Sequence, residues 1–137
     1  MSRPRRTSTS GTFLVTAITH NRRRLFQVEA TAKLFLETLQ CYRIQGFYKL
    51  HAFVVMPDHI HLLMTTDNLP KAMKHIRGGF SHSFASKLEV WQPGYTDRQI
   101  FSEKEYLDAR DYIIQNPVRA HLVANAQDYP YSSAFRD

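Results

Sequence analysis

The feature that most constrains the fold is a pair of β-forming runs joined by a short turn signal. Residues 50–56 are rich in β-branched and apolar side chains, and a second apolar run starts at position 59. Pro57 and Asp58 between the runs are turn formers, since proline fixes its own φ and aspartate accepts hydrogen bonds from nearby backbone. We therefore predict a β-hairpin over residues 47–66.

Two histidines stand at the start of the second run. His59 and His61 are separated by one residue, and in a strand residues i and i+2 point to the same side of the sheet. Two imidazoles on one rigid strand suit a metal ion. The spacing is equally compatible with two strand-end histidines that are hydrogen-bonded to their neighbours, so both interpretations stay open at this point.

Apolar periodicity and turn residues predict the other elements of the chain. They are a strand at 12–19, a helix at 28–44, a helix from Asn68 to about Val90 with a weak point at Gly78-Gly79, a strand within 95–101 and a helix from 103 to about 115. Ser102 and Glu105 form a capping-box pattern at the start of the last helix, and Pro117 is expected to prevent its simple continuation. The order β-α-β-β-α-β-α predicts an α+β fold, a ferredoxin-like split βαβ arrangement whose antiparallel sheet carries its helices on one face.

The length of 137 residues fits one domain with a core of its own. We predict a basic flexible tail at 1–11 and a single domain at 12–137. Cys41 is the single cysteine, which excludes an internal disulfide and fits a reducing compartment. The sequence has no apolar stretch near the roughly 18 residues of a membrane span, and its start lacks the apolar core of a secretory signal. We expect a cytoplasmic protein without a membrane partner.

The positive charge is unevenly distributed. The formal net charge is +6, and six arginines precede Glu29, the first acidic residue. These candidates for binding a polyanion are Arg3, Arg5, Arg6, Arg22, Arg23 and Arg24. The second predicted helix adds Lys71, Lys74 and Arg77, although an ordinary solvated helix face would look the same. Contacts of this kind with phosphates supply affinity without sequence choice and make binding salt-dependent.

The third predicted helix carries a tyrosine on its polar side. At 100° per residue, the mainly apolar stripe of this helix consists of Tyr106, Leu107, Arg110, Ile113 and Ile114. Tyr112 falls on the other side, and Asn116 lies four residues later, so the two side chains can meet over one turn if the helix persists that far. A surface tyrosine of no special role is the alternative interpretation.

Three motifs together point to a known family. The segments MPDHIHLLM, YIIQNPVRAHLV and DYPYSSA, in this order and at this spacing, resemble the single-tyrosine HUH transposases, and most of all their REP-associated branch. The resemblance extends from about Thr12 to Ala134 and implies an HUH endonuclease domain with the ferredoxin-like fold. It also implies that His59, His61 and Asn116 hold a metal ion and that Tyr112 is the nucleophile. His121 departs from the small, glycine-type residue that relatives usually have there.

The resemblance further implies an activity and its partners. It predicts a single-stranded DNA endonuclease and strand transferase that acts beside DNA hairpins, with Mg²⁺ or Mn²⁺ as cofactor and a covalent 5′-phosphotyrosine intermediate. Insertion-sequence relatives exchange the tyrosine helix within a homodimer, whereas the REP-associated branch resembles monomers that act in cis. Two alternatives remain: a hairpin-binding protein that no longer cuts, and a metal-dependent phosphodiesterase that uses water while Tyr112 is incidental.

Overall fold

The computed structural model describes residues 8–137 and contains one antiparallel sheet with three helices. The elements are β1 (Gly11–Ile18), α1 (Glu29–Ile44), β2 (Lys49–Met56), β3 (His59–Thr66), α2 (Leu69–Phe84), β4 (Thr96–Ile100) and α3 (Glu103–Arg119). The strand order is β2-β3-β1-β4, and every neighbouring pair is antiparallel. This order is that of a split βαβ sheet, because β3 lies between β1 and β2. The predicted α+β, ferredoxin-like fold class is confirmed.

The hairpin of β2 and β3 is confirmed and sets the position of both histidines. Met56 pairs with His59 across the turn at Pro57 and Asp58. On its other side β3 pairs with β1, so that His61 stands opposite Thr16. Both histidines are therefore held at the turn end of a central strand, where the register of two neighbours restrains the backbone.

The two faces of the sheet are covered differently, which corrects the prediction that all helices share one face. On the closed face, defined by Phe13, Val15, Ile60 and Leu62, the buried cluster includes side chains of α1 and α2. The open face carries the alternate residues of the same strands, among them Val54 and Leu63, and α3 packs there through Ala109 and Ile113. Strands that are apolar on both sides need a layer on each, and α3 supplies the second.

Two helix ends also differ from the predictions. The helix α2 ends at Phe84, well before Val90, because Ala85 adopts a left-handed φ of 55°. Gly78 and Gly79 do not interrupt it, and a Cβ at Gly79 would lie 2.7 Å from the Tyr42 hydroxyl oxygen, so this glycine permits close packing of α2 on α1.

The helix α3 continues through Pro117 to Arg119, past its predicted end near 115. Proline removes one hydrogen bond from a helix but does not always end it, and here its ring is buried. The buried stripe consists of Ala109, Ile113 and Pro117, whereas Leu107 and Arg110 of the predicted stripe are exposed.

Both ends of the described chain lie against the domain. The carbonyl of Thr9 accepts a hydrogen bond from the Leu69 amide (2.9 Å), and that of Ser10 accepts one from Gln99 Nε2 (3.1 Å). Near the C-terminus, the Ser133 amide donates to the Phe53 carbonyl along the outer edge of β2, which leaves less of that edge free to pair. Over residues 8–137, no helix is both long and apolar enough to span a bilayer.

Candidate active site

A cavity of about 430 Å³ opens between α3 and the turn end of the sheet, on the open face. It brings together the four residues that the sequence singled out for chemistry, His59, His61, Tyr112 and Asn116. Its other lining residues are Thr16, Ile18, Arg22, Met56, Arg119 and Ala120. The strand and the helix thus meet as the prediction requires, and they do so within one chain.

His59 is oriented by the residue before it. Its Nδ1 lies 2.6 Å from Oδ1 of Asp58. An ionised carboxylate only accepts hydrogen bonds, so Nδ1 carries a proton, and in the neutral ring Nε2 holds the lone pair. Partial burial of Asp58 opposes its ionisation, but His59 and Arg22 outweigh burial, and the pKa of Asp58 is lowered from its ordinary value. The arrangement is the carboxylate–histidine pair that commonly supports metal ligands.

His61 is oriented by a neighbouring strand. Its Nδ1 lies 2.8 Å from Oγ1 of Thr16, and the residue is only 5% exposed. Burial, together with the charges of His59 and Arg119, lowers the pKa of His61 to about 4. The ring is therefore neutral at pH 7. If the Thr16 hydroxyl accepts the Nδ1 proton, the lone pair of Nε2 is free to coordinate a metal ion.

Tyr112 approaches His61 from the helix. The two ring centroids lie 5.4 Å apart in an edge-to-face arrangement, and the tyrosine is 45% exposed. Among residues 8–137, no group donates to or accepts from the Tyr112 hydroxyl or the Asn116 side-chain amide. Because α3 continues past Asn116, both side chains lie on the flank of the helix that lines the cavity.

The donor set of the cavity fits a divalent cation. In the described part of the chain, no group of three or more histidine, cysteine, aspartate or glutamate side chains is placed to hold a metal ion. A metal at this site would rely on the two imidazoles and the Asn116 amide oxygen. Three neutral donors leave coordination positions for water and phosphate oxygens, and imidazole ligands suit Mn²⁺ better than Mg²⁺.

The predicted DNA-binding arginines of the front segment separate in the structure. Arg3, Arg5 and Arg6 lie outside the described residues. Arg22 lines the cavity, 3.4 Å from Asp58 Oδ2. Arg23 donates to the Glu89 carbonyl, and Arg24 is exposed. Arg22 is therefore the predicted DNA-binding residue that the structure brings to the histidines.

The basic residues of α2 lie away from the cavity, because this helix packs on the closed face. Arg77 donates to the Gly94 carbonyl at 2.8 Å, and the ammonium of Lys71 lies 5.6 Å from the Phe47 ring centroid. Lys74 is exposed. Their role in DNA binding stays a prediction.

Three residues of the site were missed from the sequence. The sequence marks Asp58 only as a turn former, although its position beside His59 is a usable signal. Thr16 could not be found, since its contact with His61 depends on the register of β1 and β3. Arg119 lay beyond the predicted end of α3, yet its guanidinium carbon is 4.4 Å from the Tyr112 ring centroid.

Comparison with known proteins gives the family. A family model described as "Transposase IS200 like" matches residues 8–116. The chain is 30% identical over 131 residues to the REP-associated tyrosine transposase of Escherichia coli (strain K12), which covers 93% of this chain and 78% of that protein. A solved structure of a REP-associated tyrosine transposase bound to a REP hairpin superimposes with a TM-score of 0.84 and 28% identity, covering 97% of this chain and 82% of that one.

A second solved structure, from Deinococcus radiodurans r1, superimposes with a TM-score of 0.58 at 22% identity, over 82% of this chain and 95% of that one, and shows the fold alone. The fold, the cavity and these similarities define a DNA-processing enzyme of the transposase class. More particularly, the chain belongs to the IS200-like transposase family, and its resemblance to the REP-associated tyrosine transposases is confirmed.

Proposed function

We propose that this protein cuts and rejoins single-stranded DNA beside hairpins, with Tyr112 as the nucleophile and a divalent cation held by His59, His61 and Asn116. The observation that carries the proposal is the position of the Tyr112 ring, 5.4 Å from the ring of His61 in a shared cavity. A partly exposed phenol beside two imidazoles that are oriented by hydrogen bonds suits phosphoryl transfer. Catalysis of that reaction depends mainly on positioning and on stabilisation of charge.

The protein residues have separable tasks in this reaction. The Tyr112 oxygen attacks the phosphorus, the bond to the 3′ oxygen breaks, and the phenolic proton passes to water while the departing oxygen gains one. The products are a 5′-phosphotyrosine and a free 3′-hydroxyl, and attack by a 3′-hydroxyl reverses the step and joins a strand. The Mg²⁺ or Mn²⁺ ion would supply Lewis-acid stabilisation of charge on the non-bridging oxygens.

The neutral donors matter for that stabilisation. His61 is uncharged at pH 7 because burial, aided by nearby positive charges, lowers its pKa to about 4. His59 is held through Nδ1 by Asp58, so its Nε2 is the nitrogen available for coordination. Since neither imidazole nor the Asn116 amide adds negative charge, the cation would retain its full charge toward the phosphate.

The substrate part of the proposal rests on similarity and charge. The REP-associated tyrosine transposase that superimposes on this chain was solved bound to a REP hairpin. Here, Arg22 lies at the cavity and has 62% of its side chain exposed, and the chain carries a net charge of +6. We infer that a hairpin flanks the cleaved strand and that Arg22 contacts its phosphates.

The proposal favours catalysis in cis. The Tyr112 ring contacts His61 of its own chain and shares a cavity with His59, so a second copy is not needed to complete the site. We expect a monomer to be competent, whereas exchange of α3 in a homodimer would have to rebuild the same contacts.

The test is covalent capture. The chain is incubated with Mn²⁺ and a panel of single-stranded oligonucleotides that each carry a hairpin, labelled on the 5′ or the 3′ side of the cleaved bond. We expect a band that resists denaturation and carries the label from the 3′ side. When EDTA is present from the start, we expect no such band. Hairpin binding without any adduct would favour an inactive binding protein, and turnover without an adduct would favour hydrolysis by water.

A further inference from the structure

Arg119 makes two contacts with the proposed nucleophile. Its guanidinium carbon lies 4.4 Å from the Tyr112 ring centroid, and its Nη2 donates a hydrogen bond of 2.6 Å to the Tyr112 carbonyl. The residues are seven positions apart, two turns of one helix, and long helical side chains lean toward the N-terminus. One side chain therefore engages both the ring and the backbone of the same tyrosine.

These contacts depend on the continuation of α3 through Pro117. Proline has no amide hydrogen for the Ile113 carbonyl, and its ring crowds the preceding turn. The helix nevertheless reaches Arg119, which keeps this side chain on the same flank as Tyr112. Had α3 ended near 115, no cation of this helix would lie over the tyrosine ring.

Apart from Arg119, few contacts with the described residues restrain the Tyr112 side chain. It is 45% exposed, and within residues 8–137 its hydroxyl has no hydrogen-bond partner. Its other ring contact is the edge-to-face contact with His61. The ring thus contacts both a buried imidazole and a flat guanidinium, a group that stacks well on aromatic faces. A reacting oxygen must be placed within a fraction of an ångström, so control of the ring matters for rate.

We propose that Arg119 is a positioning residue for Tyr112, which holds the ring beside His61 so that the phenol faces the cavity when DNA is bound. This inference rests on the proposed function for its kinetic consequence. The position of the ring can be tested independently of that function, because the test uses the protein without DNA.

The kinetic test compares Arg119→Ala, Arg119→Lys and a control on the same helix. Arg110→Ala is the control, since Arg110 is exposed, lies outside the cavity and has no ion pair or hydrogen bond from its side chain with any described residue. Single-turnover adduct formation is measured against the concentration of a hairpin-flanked oligonucleotide with Mn²⁺. We expect Arg119→Ala to lower the rate at saturating DNA by about 10- to 100-fold, with half-saturation changed less than about twofold.

Arg119→Lys is expected to recover part of the lost rate, because an ammonium keeps the charge but not the flat, forked donor. Arg110→Ala should remain within about twofold of the original chain. An unchanged saturating rate in Arg119→Ala overturns the proposal. So does a rise in half-saturation alone, which would make Arg119 a DNA contact.

A second measurement needs neither DNA nor activity. Nuclear Overhauser contacts between the ring protons of Tyr112 and His61 are recorded in the original chain, in both Arg119 variants and in Arg110→Ala. We expect the contact to weaken in Arg119→Ala and to persist in the control. If Arg119→Ala does not fold, Arg119→Lys is read in the same way. A ring contact that is unchanged in Arg119→Ala, or in Arg119→Lys if only that variant folds, overturns the proposal. Absence of adduct from the original chain would count only against the proposed function.

Discussion

The closed and open faces of the sheet have different roles: the closed face packs an aromatic core, and the open face carries the cavity. On the closed face, Phe26, Phe35, Phe80 and Trp91 pack with ring centroids 5.4–6.0 Å apart, and each is buried. On the open face, apolar packing under α3 stops short of the turn end, where a cavity lined by His61 and other polar residues begins.

The difference shows how a small domain can support a polar site. The aromatic cluster is buried, and its one polar ring atom, Trp91 Nε1, donates to the Arg77 carbonyl (3.1 Å). The cluster therefore stabilises the sheet mainly through burial of apolar surface. The cavity contains buried polar groups that cost free energy unless they are paired. His61 is paired with Thr16, and both residues stand on strands whose opposite face is closed.

The largest effect should come from the hydroxyl of Tyr112. We expect Tyr112→Phe to abolish the covalent adduct, while the free energy of unfolding changes by less than about 0.5 kcal/mol, because the hydroxyl is not buried or bonded. Denaturing gels and urea unfolding measure the two quantities. Adduct formation by Tyr112→Phe, alongside its loss in His59→Ala, would show that another residue is the nucleophile.

Next in size is a cavity on the closed face. Phe35 is fully buried and contacts three other aromatic rings, so Phe35→Ala should lower the free energy of unfolding by about 3–5 kcal/mol. Tyr112→Ala, on the open face, is the matched aromatic truncation and should cost less than about 1 kcal/mol. Equal losses in urea unfolding would remove the distinction between the faces.

A smaller effect is expected at the hydroxyl that orients His61. Thr16→Val removes the partner of Nδ1 with little change of shape, and should raise the Mn²⁺ concentration for half-maximal adduct by about tenfold. Thr12→Val is the control, because Thr12 lies on β1 like Thr16 but its hydroxyl is hydrogen-bonded to that of Thr65 on β3, away from the cavity. A shift of the Mn²⁺ midpoint in both variants, or in neither, would argue against support of His61 by Thr16.

The smallest effect concerns the end of α3. His121 adopts a left-handed φ of 60°, and the Leu122 amide donates to the Pro117 carbonyl, which together form a helix end that favours glycine. His121→Gly should raise the free energy of unfolding by about 0.5–1 kcal/mol. Ala120→Gly, at a φ of −84°, should instead lower the free energy of unfolding by roughly a few tenths of a kcal/mol. The same sign for both in thermal unfolding would contradict this account.

The left-handed φ of His121 explains why a small, glycine-type residue is expected at this position. The position that the resemblance marked as unusual is one where an L-residue is strained, and the helix end keeps its shape there despite the side chain. The strain lies beside Ala120, which lines the cavity.

Several features were predictable because they depend on neighbours in sequence. The alternation of the hairpin placed both histidines on one side of a strand, and the helical period placed Asn116 one turn after Tyr112. The coverage of both sheet faces was not predicted, since the run from Leu62 to Met64 is apolar without alternation and such a run does not show which layer covers which side.

The sequence by itself determined the hairpin, the order of the elements and two pairs of side chains, His59 with His61 and Tyr112 with Asn116, because local periodicity decides which side chains share a side of a strand or helix. That the two pairs share one site was implied by the family resemblance and not by periodicity. Only the tertiary structure decided that Thr16 supports His61 across 45 positions, that α3 faces the histidines, and that Arg119 reaches Tyr112 beyond a buried proline. These contacts depend on strand register and on burial of the Pro117 ring, which are properties of the packed chain and not of any short segment.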